Sequence, residues 1–529
     1  MDPEFIQTID SEIFEPPGSI GTRYDFDEFL KNLELRKVKN ETAEIHDKII
    51  WFIIRYHNYA WVGDAKGKFA KWYSGRWYFD VDVSLNRLIR HYVKYSGLKY
   101  SPYTRDDIRA RIKEARQMKI EQFNRNREVM NFKNGWVDTT DFTFHGHRDK
   151  HMDYDRDYTI QIPHDYFENK TPLKFIPWLL KTIKYDWEKF DLIMKAVGCT
   201  LYMGVKFQKL FMVKGPGKTG KSTFLNILAA IVGEDNCSSI SVQRLSKRFG
   251  TSGIVFKLLN FYADISVNKA ITDSSRIKIL IDDKIDYEIK GAGFHVVDNT
   301  VKHWFSTNNM PPVIGLDLAY CRRWVIIVFD RVIPTDELIP DFERTIIADE
   351  KELEAIISLA VDAFKELSAR GMFVAQSAEE VMEIIMQETD TVYRFIKQMC
   401  DEDARFEDIQ ESIYEAYVDF AAADGAMKVL KKPQFTQDLY SKGFGKGRIK
   451  NKNEDGKRPY TYTGLKLKET IWVDPKSITP SQITIDMLQR GRKKSKVTNV
   501  DVAKIELDYD TPEYEEYDQR EDMFDPLDD

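Results

Sequence analysis

Apolar residues along this chain follow two rhythms. Leu210–Val213, Leu258–Ala263 and Trp324–Phe329 are short, nearly unbroken apolar runs, the pattern of strands buried on both faces, and Val301–Ser306 reads as a further strand. Thr223–Val232 instead spaces Phe224, Leu225, Leu228 and Ile231 along one face of a helix,. The alternation of the two predicts an α/β core. Upstream, Glu44–Tyr56, Asp82–Tyr95 and Arg105–Arg125 read as amphipathic helices separated by short aromatic strands, a mostly helical N-terminal region. Downstream, Lys351–Leu367 and Ala378–Glu388 read as helices. Residues 391–472 then read as three helices followed by two strands, the order of a winged helix,.

The 529 residues are enough for several domains,. No apolar run approaches the roughly 18–20 residues of a membrane span, and the N-terminus lacks the basic and apolar regions of a signal peptide. A cytoplasmic protein is expected. MDPEF has the look of a cloning remnant, so the chain reads as one piece of a longer protein. Cys199, Cys237, Cys321 and Cys400 form no CxxC pair and read as reduced thiols. The net charge of −7 is an average over unequal segments. From Glu506 to Asp529 stand twelve acidic residues and a single Arg, which leaves the rest slightly positive. That acidic tail, preceded by RGRKKSK at Arg490–Lys496, is expected to be disordered.

Between the first strand and its helix lies GPGKTGKST: Gly215, Pro216, Gly217, Lys218, Thr219, Gly220, Lys221, Ser222 and Thr223. It satisfies G-x-x-x-x-G-K-[ST] between a strand and a helix, as a phosphate-binding loop requires. Its glycines let backbone N–H groups turn toward phosphate oxygens, and the helix N-terminus adds partial positive charge. Lys221 would pair with the β- and γ-phosphates and Ser222 would ligate Mg²⁺, so ATP and Mg²⁺ are expected. Asp264 closes the next apolar run and can hold Mg²⁺ and polarise water. Asn308 follows Val301–Ser306, where an amide can orient the attacking water. Arg322 and Arg323 precede Trp324–Phe329, where an arginine can reach a neighbouring subunit's nucleotide.

Loop, acid, amide and arginine pair in this order resemble superfamily 3 helicases, a branch of the AAA+ ring ATPases. The likeness points to the C-terminal helicase region of phage and plasmid primase–helicases, related to the poxvirus primase–helicase. LLNFYADIS, WFSTNNMPP and CRRWVIIVF look like that family's acidic, sensor and arginine-finger motifs. WYSGRWY, NFKNGWVD and HDYFENKTPLKFIPWL are similar to its N-terminal helicase-associated region. One departure is Ala263, which stands where many members carry a second acid, leaving the general base open. Of the two arginines, Arg323 is the favoured finger on its spacing to Phe329.

The resemblance implies an AAA+ P-loop ATPase core over 171–345, a collar domain over 23–170, a helical extension over 346–389 and a winged helix over 390–473. Residues 1–22 would be remnant and linker, and 474–529 tail. It also implies a homo-hexamer around single-stranded DNA, gripped by a hairpin with Lys290 at its tip and Lys284 and His295 beside it. The basic wing, with Arg448, Lys450, Lys457 and Arg458 interleaved with Tyr460 and Tyr462, suits duplex DNA. The expected function is an ATP hydrolase acting as a replicative DNA helicase of a plasmid or virus, moving 3′ to 5′. The alternatives are an origin-melting initiator and a packaging or protein-remodelling ATPase. No primase acid pair is evident, so primer synthesis is expected only from a primase-polymerase domain fused upstream, as in an archaeal plasmid or virus replication protein.

Overall fold

A computed structural model of the chain describes residues 41–468, apart from 64–66, 148–156, 246, 248, 264, 266–269, 272–273, 290–292, 425–428 and 449–457. Asp264, Lys290, Lys450 and Lys457 therefore lie outside the described residues, as do the first 22 residues and the tail. The chain divides into two units, Met1–Lys466 and Leu467–Asp529. Apart from Leu467, the last residue of the final strand, the elements and sites described here belong to the first unit.

The N-terminal part sets three helices, Glu41–Arg55, Asp82–Tyr95 and Pro102–Ala115, against β1 (Tyr59–Val62), β2 (Lys68–Tyr73), β3 (Arg76–Phe79) and β4 (Gln117–Met118). The strand order is β3-β2-β1-β4. Ile49, Ile53, Leu85, Ile89, Ile108 and Ile112 close the core between helices and sheet. The last helix stops at Ala115 instead of running on to Arg125. Arg116 leaves the helix at φ −143° and ψ 88°, its carbonyl accepts from Trp61 N at 2.9 Å, and Gln117–Met118 pair in parallel with Trp61–Val62. Tertiary pairing overrides the local helix propensity of this stretch, whose Arg, Gln, Met, Lys and Glu are good helix formers,. A second sheet follows, β5 (Val129–Asn131), β6 (Gly135–Asp138) and β7 (Phe144–Gly146).

The central sheet contains β8 (Leu210–Lys214), β9 (Cys237–Ser238), β10 (Leu259–Tyr262), β13 (Lys302–Thr307) and β14 (Trp324–Val328). Its order is β14-β8-β13-β10-β9, and every described pairing is parallel. Between β10 and β13 the chain makes the antiparallel hairpin β11 (Lys284–Ile289) and β12 (Gly293–Asp298).

Alternate residues of β8 serve two cores, as a strand covered on both faces must. Phe211 and Val213 join Phe224, Leu228, Ile356 and Phe364 on one side. Leu210 and Met212 join Ile277, Tyr320, Val381 and Ile385 on the other. The helices Trp187–Leu201, Lys221–Val232 and Glu350–Arg370 thus cover one face, and Ala378–Thr389 packs on the second. Helix Phe175–Thr182 receives no side-chain cap from Lys174, the residue at its start. The buried carboxylate of Glu352 supplies one, accepting from Leu173 N, Lys174 N and Phe175 N at 3.1, 2.8 and 2.8 Å, and so satisfies donors that a helix start leaves orphaned.

The C-terminal part runs helix Thr391–Met399, β15 (Cys400–Ile409), helices Gln410–Ala423 and Lys432–Ser441, then β16 (Gly445–Arg448) and β17 (Tyr460–Leu467). Its sheet has the order β15-β17-β16. The strand β15 departs from the expected three helices and two strands. CDEDARFEDI is mostly charged, with Cys400 alone buried, so it carries no alternation a strand could be read from.

Candidate functional site

The glycine-rich loop leaves the C-terminal end of β8, between the ends of β13 and β14, where open α/β sheets bind ligands. Register fixes its neighbours. Thr307 of β13 and Val328 of β14 both lie opposite Lys214, and Gly215 N donates to Thr307 O at 3.2 Å. Gly215 must lack a side chain, because a Cβ there would stand 1.8 Å from Phe329 O. Gly220 enters the helix at φ +83°, a left-handed conformation that glycine adopts freely. Thr219 is buried and its hydroxyl donates to Pro216 O at 3.0 Å.

Lys221 opens the helix with its side chain folded into the loop. Its Nζ donates to Gly215 O at 2.7 Å, to Pro216 O at 2.6 Å and to Asn308 Oδ1 at 3.1 Å. A largely buried ammonium needs such acceptors. Lys218 and Ser222 are exposed beside it, as are Pro216 and Gly217, while Thr223 is half-buried. An ammonium and an exposed hydroxyl at such a loop are the kinds of group that hold the phosphates and magnesium ion of a nucleoside triphosphate.

Asn308 stands just past β13, and within that strand Ser306 O accepts from Ile265 N, three residues past the end of β10, at 2.9 Å. The two arginines divide sharply. Arg322 is exposed, and its backbone carbonyl accepts from Lys209 Nζ at 2.6 Å. Arg323 is half-buried, with Nη1 donating to Ala319 O and Nε buried without a partner among the described residues. Burial, and then the neighbouring Arg322, holds its guanidinium below its usual range. Arg323, the finger the spacing favours, thus has one guanidinium contact to its own chain, while Arg322 has its side chain exposed.

Of the hairpin candidates, Lys284 is exposed, and His295 Nδ1 shares a hydrogen bond with Glu121 Oε1 at 3.0 Å. At the base of the same hairpin Arg127 donates to Asp283 O at 3.0 Å. Several arginines of the basic run Arg105–Arg127 are similarly engaged within the chain: Arg105 with Asp106, Arg109 with Asp82, Arg111 with Asp47.

In the C-terminal sheet, Lys446 and Arg448 alternate with Gly445 and Gly447 on the outer strand β16. Lys446 Nζ lies 4.4 Å and Arg448 Cζ 4.8 Å from the centre of the Tyr460 ring, which is 47% exposed. Arg458 is exposed next to it. Two cations on one exposed ring form a surface suited to phosphates and bases.

Two contributors escaped sequence reasoning. The carboxylate of Glu388, on helix Ala378–Thr389, forms an ion pair with Lys214 at the end of β8 and accepts from Met310 N at 2.6 Å. Inside the sheet, His303 and Asn260 are buried and face each other at 3.3 Å. Burial pushes the His303 imidazole down to about 3. Long sequence separation hides the first pair, and no composition cue marks the second.

The molecule defined by these features is an α/β protein with a parallel sheet and a glycine-rich loop joining a strand to a helix. Residues 387–467 match a family model described as poxvirus D5 protein-like, and 213–323 match a family of unknown function (DUF5906). The first match spans most of the C-terminal part, and the second spans the sheet from the end of β8 to Arg323. Among solved structures, the apo NrS-1 C-terminal region (305–718) aligns at 13% identity with a TM-score of 0.47, covering 79% of this chain and 98% of that one. The A-form apo structure of that C-terminal region aligns at 13% identity and a TM-score of 0.45, over 78% and 98%. No described helix is long and apolar enough to cross a membrane.

Proposed function

We propose that this chain is an ATP-driven DNA helicase of the superfamily 3 type, the motor of a viral or plasmid replication protein. The single observation carrying this reading is the meeting of Lys221 and Asn308 at the end of the β8–β13 pair. A lysine for the β- and γ-phosphates and an amide able to orient water thereby share one site. The strand order β14-β8-β13-β10-β9 supports it, because the amide strand lies between the loop strand and the strand that precedes Asp264. The poxvirus D5-like match of the C-terminal part also supports it.

Backbone N–H groups of Gly217–Ser222 would hold the phosphates, with Lys221 swinging from the loop carbonyls onto them. Ser222 and Asp264 would hold magnesium, which supplies charge neutralisation on the phosphates. Asn308 would orient the attacking water. Arg322, exposed and ahead of β14, is the residue this reading assigns to a neighbouring subunit's nucleotide in a closed homo-hexameric ring. Lys290 would track single-stranded DNA in the channel. The Lys446–Tyr460–Arg448 surface would meet duplex as the wing of a winged helix. That surface would serve an origin-melting initiator equally, and strand displacement on a forked substrate separates the two.

The test is ATP hydrolysis with and without single-stranded DNA, on wild type, Lys221→Ala and Lys290→Ala. DNA is expected to stimulate the wild type, Lys221→Ala to be inactive, and Lys290→Ala to hydrolyse ATP without responding to DNA. Hydrolysis indifferent to DNA in the wild type would replace the helicase reading with a remodelling one.

A further inference from the structure

Glu388 belongs to neither the loop nor the sensor strand, yet it touches the end of both. One carboxylate oxygen pairs with Lys214, the residue before Gly215, and the other accepts from Met310 N, two residues past Asn308. Lys221 joins those segments from the opposite side through Asn308. The contacts form a closed circuit: Lys214 to Gly215 along the chain, the loop to Lys221, Lys221 to Asn308, Asn308 to Met310, and Met310 through Glu388 back to Lys214.

The helix that carries Glu388 is anchored on the sheet face opposite the loop helix. Val381 and Ile385 are buried against the core containing Leu210 and Met212. Its N-terminus is closed by a capping box between Ser377 and Glu380. Two residues past Glu388, Asp390 caps the next helix, accepting from Tyr393 N at 2.9 Å, and pairs with Lys442 at 2.7 Å. The path from the loop strand to the C-terminal part therefore runs through ionic and hydrogen-bonded contacts on a short helical stretch.

We infer that Glu388 is a positioning residue that couples phosphate occupancy of the glycine-rich loop to the C-terminal part of the chain. The inference rests on the nucleotide-binding reading above. Phosphates would draw the Lys221 ammonium away from Gly215 O, Pro216 O and Asn308 Oδ1. Both segments must then resettle, and both are held by Glu388 within two residues of the contacts that change. A carboxylate with one oxygen on each segment cannot keep both bonds if the segments separate, so the helix moves or one bond breaks. Such a two-arrangement element is the physical requirement for coupling between distant sites.

The test is hydrogen exchange on the full chain, with and without magnesium and the slowly hydrolysed analogue ATPγS, for wild type, Glu388→Ala, Glu388→Gln and Lys214→Met. In the wild type, protection of 215–223 should be accompanied by at least about a threefold change in exchange rate over 378–399. Glu388→Ala and Lys214→Met should keep the protection of 215–223 and lose the distant change. Glu388→Gln, whose single carbonyl oxygen can hold Met310 N or Lys214 Nζ but not both, should keep the protection of 215–223 and lose the distant change as Lys214→Met does. If 215–223 becomes protected while 378–399 stays unchanged in the wild type, the coupling is overturned and the nucleotide reading stands. The coupling is equally overturned if Glu388→Ala or Lys214→Met behaves as wild type, and Lys214→Met decides alone should Glu388→Ala fail to fold. If 215–223 gains no protection, the nucleotide reading falls and the coupling falls with it.

Discussion

Lys221 Nζ reaches Asn308 Oδ1 at 3.1 Å, joining the glycine-rich loop to the end of β13, which sequence alone places far apart. Pairing of Thr307 with Lys214 makes the approach possible, since it puts the last residues of the two strands side by side.

On the proposed reading both residues serve one site, so each substitution should cost activity without costing the fold. Lys221→Ala and Asn308→Ala are each expected to lower kcat for ATP hydrolysis by about a hundredfold or more, the usual effect of losing one preorganised polar group. The double variant should lose far less than the product of the two, as residues acting as a unit do. Steady-state kinetics with unchanged melting temperatures checks this.

The two arginines should separate by assay. Arg322→Ala is expected to lower kcat by about a thousandfold, the lower end of the range for an arginine acting on a neighbour's nucleotide, with little change in melting temperature. Arg323→Ala should act mainly on stability, because its Nη1 is bonded to Ala319 O and its guanidinium is half-buried. Mixing Arg322→Ala with Lys221→Ala subunits should restore hydrolysis at the mixed interfaces, and a strictly additive mixture would count against action between subunits.

The surface of Lys446, Arg448 and Tyr460 should bind DNA through phosphates. Lys446→Ala and Arg448→Ala are each expected to weaken duplex binding irrespective of sequence. Each should reduce the slope of log affinity against log salt by about 1. Tyr460→Ala should weaken binding while leaving that slope unchanged. Fluorescence anisotropy across a salt series reads all three.

Stability should depend on acid through His303. Burial lowers its folded pKa to about 3 from an ordinary value of 6.5. Between those values the unfolded chain holds a proton that the folded chain does not. The stabilisation is complete above pH 6.5 and is lost as pH falls from there toward 3, by roughly 1.4 kcal/mol per unit,. Denaturant unfolding of wild type and His303→Phe from about pH 7 to about pH 4 should show the variant with a shallower dependence.

Much of the core was legible because its signals are local. The apolar run before Gly215, the helix period after Ser222 and the spacing of the loop all act within a few residues, and β8 and its helix lie where that pattern puts them. The strands Lys284–Ile289 and Gly293–Asp298 pair where the resemblance implies a hairpin. By contrast, β15 was illegible, since a charged strand held by pairing with β17 carries no alternation of its own. The helix expected to continue to Arg125 ended at Ala115 for the same reason, as a distant strand, β1, captured the backbone.

The sequence by itself determined the glycine-rich loop, the apolar strands around it and the residue types available for chemistry, because each depends on neighbours along the chain. Only the tertiary structure decided which of those residues meet. It put Asn308 on Lys221, turned Arg323 inward and left Arg322 exposed, paired His295 with Glu121, and brought Glu388 to Lys214. Those outcomes follow from the parallel register of strands far apart in the chain and from helices packing across the sheet. Such contacts are long-range, and no local pattern of hydrophobic and polar residues encodes them.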